Sequence, residues 1–268
     1  YLEYLRLGGH MLEQLPEEIG SLSNLEILIL SGNELKTLPN SICNLEKLRI
    51  LSLDGNKLEE LPDSVGKLRN LEKLELRENR LAEVPESVGN LSRLRQLDLS
   101  NNQLLGLPEG IGKMRLTSID IHNNKLVALP DSLSMLDSLR VIVAWGNDFR
   151  VLPTQIYGLP CLEEISIGDS IEEVPLGIER LSTLRSLGLE NNNLVAIPKS
   201  VFRLGNLESV FLGRNELRSL PHTLLQTDSK LKLGINDNML CELSAALAAK
   251  VTLCAISDNW LATQKCAR

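Results

Sequence analysis

The chain has 268 residues and a formal net charge of -7, from 28 basic and 35 acidic side chains. It holds no basic block, which argues against nucleic acid and anionic membrane surfaces as partners. No apolar run approaches the roughly 20 residues that cross a bilayer, so membrane insertion is not expected.

Read from the first residue, one phrase returns about every 23 residues: Leu-x-x-Leu-x-Leu-x-x-Asn-x-Leu. The first copy, around Tyr4 and Arg6, carries His10 in place of the asparagine, as an edge repeat can. The clearest copy runs from Leu25 to Pro39 and holds Asn33. Asn56, Asn79, Asn102, Asn124, Asn147, Asn192, Asn215 and Asn238 close later copies. Ten of the 11 prolines form a second column, from Pro16 and Pro39 to Pro221. The sixth copy lacks one residue between Met114 and Leu116, read as a shortened convex loop. The eighth, Leu162 to Pro175, also lacks one, and Asp169 or Ser170 stands where the asparagine belongs.

Within each copy the Leu-x-Leu segment alternates, which is strand periodicity. Leu28 and Leu30 should point inward, with Ile27, Ile29 and Ser31 outward. The return segment, such as Leu38-Pro39-x-x-Ile42-x-x-Leu45, spaces apolar residues by three, which fits a helical or 3-10 turn. Strands about 4.8 Å apart backed by wider segments make a curved stack with the strands inside. The asparagines are expected to bond backbone groups of neighbouring turns. Gly20, Gly66, Gly89 and Gly112 recur in the return segment and are read as turn chemistry.

These motifs resemble the leucine-rich repeat superfamily over essentially the whole chain. The Leu-Pro-x-x-Ile-x-x-Leu half, in Leu15 to Leu25 and Val84 to Leu94, is similar to intracellular Ras-associated and scaffold repeat proteins and to bacterial effectors. The resemblance implies an α/β right-handed solenoid, a horseshoe with short parallel concave strands and helical or 3-10 convex segments. About 11 repeats would fill residues 1–240, the first incomplete or capping. Residues 241–268 read as a degenerate repeat and cap, with Trp260 and Leu261 over the last core layer. Small GTPases, kinases and phosphatases are the protein partner classes that the resemblance implies.

The outward strand positions are the best clue to a ligand. Ile27, Ile29 and Ile50 form one apolar patch. Lys73, Glu75, Arg77, Asp98 and Asp120 form a charged strip, with Asp98 and Asp120 side by side, inviting a partner's Lys or Arg or a cation. Val141, Val143 and Trp145 form a second apolar patch, and Trp145 is a natural interface anchor. His122 lies between strip and patch. Small outward residues follow.

Enzyme chemistry finds little purchase here. Ser100, His122 and Asp120 share adjacent strands, but an open sheet offers no nucleophile elbow or oxyanion hole. Asp98, Asp120 and His122 have the donor types for a metal but nothing that fixes a coordination number. No Gly-rich phosphate loop is present, and no cofactor is implied. The five cysteines, Cys43, Cys161, Cys241, Cys254 and Cys266, fit no zinc spacing and read as small buried hydrophobes in a reducing compartment. The expected protein is a non-catalytic, cytoplasmic interaction module, or one delivered into a host cytoplasm. The alternative is the substrate-recognition part of a larger kinase or ubiquitin-ligase effector, since the chain opens at Tyr1 inside a repeat.

Overall fold

The computed structural model describes residues 1–227, 231–240, 244–247 and 249. Among the described residues, eleven three-residue strands form one parallel sheet in strict chain order. They are β1 (Tyr4–Arg6), β2 (Ile27–Ile29), β3 (Ile50–Ser52), β4 (Lys73–Glu75), β5 (Gln96–Asp98) and β6 (Ser118–Asp120). β7 (Val141–Val143), β8 (Glu164–Ser166), β9 (Ser186–Gly188), β10 (Ser209–Phe211) and β11 (Lys232–Gly234) complete it. The ten segments that return from one strand to the next are all 3-10 turns, such as Glu86–Asn90. The chain is thus a right-handed solenoid of the expected class.

Local chemistry explains each turn of the coil. The proline before most 3-10 segments supplies the extended entry, as Pro39 does with φ -65° and ψ 142°. Its carbonyl then accepts from the N–H three residues on, as in Ile42 N to Pro39 O at 3.0 Å. The leucines of the phrase fill one continuous core, with Leu25, Leu28, Leu30 and Leu35 fully buried. Each such side chain contributes about 2 kcal/mol through burial.

The asparagine column is a hydrogen-bonded ladder. Asn102 donates through Nδ2 to Leu76 O at 2.9 Å and Leu99 O at 3.0 Å, and its Oδ1 accepts from Leu81 N at 3.0 Å. It therefore satisfies backbone groups of its own turn and of the one before. The residue just before the ladder asparagine sits in the left-handed region. Gly32 and Gly55 fill it without a Cβ, while Asn101 and Asn123 occupy it at φ 55° and 52°.

The recurring return-segment glycines have a different origin from the turn chemistry expected of them. Gly20, Gly66, Gly89 and Gly112 are absent from the positive-φ positions. A Cβ on Gly66 would instead run into Ser87 O, and one on Gly89 into Gly110 O. These glycines let the 3-10 turns of adjacent repeats come into backbone contact.

The two shortened repeats differ in consequence. After the 3-10 turn Glu109–Lys113 the chain leaves in an extended conformation at Met114, with ψ 171°, where its neighbour Leu91 has ψ 68°. The ladder continues past this point through Asn124. In the eighth repeat no asparagine is available. Asp169 takes φ 97°, its carboxylate accepts from Gly146 N, and a parallel bridge joins Val151 to Glu173. Cys43 is buried and Cys161 half-buried, both as free thiols. Leu247 is buried, whereas Trp260, Leu261, Cys241, Cys254, Cys266 and most of the expected cap lie outside the described residues.

Candidate functional site

The register places outward side chains in three rows across the sheet. The middle row reads Ile29, Ser52, Glu75, Asp98, Asp120, Val143, Ser166, Gly188, Phe211. Glu75, Asp98 and Asp120 are consecutive lateral partners, as the spacing predicts for the last two. Val141 and Val143 lie beside them, half-buried, on β7. Ile27, Ile29 and Ile50 are also half-buried, and the patch they form is extended by Tyr4, which pairs with Ile27 and is 52% exposed.

The carboxylates are partly committed to their own strands. Asp98 Oδ1 accepts from Ser100 N at 2.9 Å and Ser100 Oγ at 2.6 Å. Asp120 Oδ1 accepts from His122 N at 3.1 Å and His122 Nδ1 at 2.6 Å. Ser100 is completely buried and its hydroxyl serves Asp98, so Ser100 is neither an exposed contact nor aligned on His122 as a nucleophile. Among the described residues no three His, Cys, Asp or Glu side chains converge to hold a metal.

His122 is held on every side. With Nδ1 donating to Asp120, Nε2 accepts from Asn101 Nδ2 at 3.1 Å. Asn101 Oδ1 in turn accepts from Asn123 Nδ2 at 2.8 Å. Trp145 stacks on the fixed imidazole, with centroids 4.2 Å apart and planes 17° apart. The indole nevertheless remains 40% exposed. Sequence reasoning selects Asp120, His122 and Trp145 but misses Asn101 and Asn123. Their signal was the left-handed position, where asparagine replaces the glycine of earlier repeats.

The charged strip divides in two. Lys73 pairs with Glu75, and Arg77 with Glu78 at 2.9 Å. Burial raises the Glu75 carboxyl, but hydrogen bonds from Lys73 and Ser52 outweigh it and hold the group below its ordinary value. Asp54, which its sequence context does not single out, sits beside this strip. Burial, with Glu75 and Asp98 nearby, pushes its carboxyl up to about 6, against the Arg77 N–H that bonds it at 2.8 Å. From β5 to β10 the outward positions hold four carboxylates, Asp98, Asp120, Glu164 and Glu190, and neither lysine nor arginine.

The architecture has many counterparts. Two family profiles match: a leucine-rich repeat region over residues 1–78 and 40–116, and a leucine rich repeat over 182–240. The comparison with curated proteins gives no match. Among solved structures, YopM, a leucine-rich effector protein from Yersinia pestis, is 31% identical with TM-score 0.70, over 90% of this chain and 63% of that one. A leucine-rich repeat protein from Leptospira interrogans is 28% identical with TM-score 0.62, over 90% and 74%. A TDR receptor is 26% identical with TM-score 0.77, over 95% and 46%. The chain therefore spans less than two thirds of the effector and less than half of the receptor. Stacked turns joined by an asparagine ladder, and matched by these profiles at both ends of the stack, make this chain a member of the leucine-rich repeat superfamily.

Proposed function

We propose that the chain is a non-catalytic interaction module that binds a partner protein across its concave sheet. The contact centres on Asp98, Asp120, His122, Val141, Val143 and Trp145, with Arg77 at its edge. The observation that carries this reading is the Trp145–His122 stack. An exposed indole held rigid by a carboxylate-anchored imidazole is an anchor that loses little side-chain freedom on binding. The Ile27, Ile29 and Ile50 patch is a second contact zone on the same sheet. Small GTPases, kinases and phosphatases are partner classes in keeping with the family, and the cytoplasm, the cell's own or a host's, is the compartment in keeping with free thiols.

A second reading makes the chain the substrate-recognition part of a larger enzyme. Likeness to a leucine-rich bacterial effector, of which the chain covers 63%, is in keeping with a recognition part of a longer protein. Both readings use the same face. The test is affinity capture from lysate with the wild-type chain and Trp145→Ala, after circular dichroism shows both folded. Loss of a specific partner in the variant is the expected result. Identical partner sets would remove Trp145 as an anchor.

A further inference from the structure

Trp145 has two faces, and among the described residues its ring stacking is confined to one of them. His122 covers the face toward β6. On the other side the register places Gly168 of the next repeat, which supplies no side chain, and beyond it Glu190. Gly168 is buried, and a Cβ on it would meet Glu190 O at 2.5 Å, so no side chain stands between Trp145 and Glu190 at this position. Glu190 is exposed, and its carboxylate has neither an ion pair nor a hydrogen bond among the described residues. An exposed indole and a free carboxylate therefore stand two strands apart, roughly 10 Å between backbones, with no side chain of the intervening strand between them.

Resting on the reading of this sheet as the interface, we propose that the partner presents an arginine whose guanidinium stacks on the free face of Trp145 and pairs with Glu190. A guanidinium is planar and weakly hydrated, so it can lie flat on the indole while its edge bonds a carboxylate bidentately. A lysine ammonium is a strongly hydrated point charge and cannot make both contacts as well. The wider field agrees. With Asp98, Asp120, Glu164 and Glu190 facing out from β5 to β10 and neither lysine nor arginine among the outward positions, this stretch repels an acidic partner and steers a basic one.

The test uses the full chain carrying Trp260→Phe, so that Trp145 is the sole indole. It is titrated with N-acetyl-Gly-Arg-Gly-amide and with the same peptide carrying citrulline, the neutral isostere. Saturable change in Trp145 fluorescence is expected with the arginine peptide. Binding should weaken about tenfold or more for the citrulline peptide and in Glu190→Gln. Equal binding of both peptides, insensitivity to Glu190→Gln, or no saturation at tens of millimolar would overturn the proposal. The Trp145 indole N–H resonance in the otherwise unmodified chain provides the same readout if Trp260→Phe perturbs folding. If capture of a partner is lost in Trp145→Ala but both capture and peptide binding ignore Glu190→Gln, the slot fails and the concave interface stands. If the arginine peptide binds while capture survives Trp145→Ala, the interface reading fails, and with it the assignment of the arginine to a partner.

Discussion

His122 and Trp145 stack in parallel, 4.2 Å between centroids, on adjacent turns of the coil. The pair links the two halves of the concave sheet. On its β5 side lie the paired carboxylates of Asp98 and Asp120, and on its β8 side the small residues from Ser166 onward. Asp120 fixes His122, and His122 fixes Trp145, so the anchor's orientation is set two residues away from the ring that a partner would touch.

Loosening that relay should be visible without any partner. His122→Ala, in a Trp260→Phe background, is expected to raise the acrylamide quenching of Trp145. Losing the aromatic pair should cost about 1 kcal/mol of stability. Unchanged quenching would mean that the stack does not hold the indole.

The asparagine ladder predicts a larger loss from a smaller change. Asn102→Ala leaves backbone groups on two turns without their buried partner, including Leu81 N and Leu76 O. The urea midpoint should fall by the equivalent of about 1–3 kcal/mol. A shift no larger than that of an exposed Asn→Ala change, at Asn193 for example, would contradict the ladder's role.

Asp54 predicts the sign of a pH effect. Its folded carboxyl, pushed up to about 6, binds protons more tightly than the unfolded one at roughly 3.9. The folded state therefore holds the extra proton between these values, and stability from this group is full below the unfolded value and lost as pH rises through about 6. Denaturation midpoints for the wild type and Asp54→Asn should thus diverge across this window, the variant showing less decline. Parallel curves would refute the assignment. A cationic partner group near Asp54 would favour its ionised form, so binding through it should strengthen over the same pH rise.

Close packing of the 3-10 turns predicts that Gly89→Ala destabilises, although alanine suits its backbone angles. The added methyl meets Gly110 O directly, and both turns must move apart. A loss of about 1–3 kcal/mol is expected in urea unfolding. Gly106→Ala, where a Cβ meets nothing within 4 Å, is the control and should be near neutral.

The sequence by itself determined the solenoid, the strand positions, the inward leucines and the outward rows. A strict period repeats one local solution, and once a single turn is read every copy follows. It also placed Asp98 beside Asp120, because lateral neighbours in a parallel stack are one period apart. Tertiary structure alone decided how the outward side chains use one another. Ser100 faces outward in the alternation yet is buried, because Asp98 draws its hydroxyl in. Asn101 and Asn123 look like turn residues but orient His122, a contact made across repeats. The return-segment glycines look like turn glycines in one repeat, and only the approach of the next turn shows that they are contact points. Contacts between repeats depend on rotamers and on spacing of a few tenths of an ångström, which periodicity does not encode.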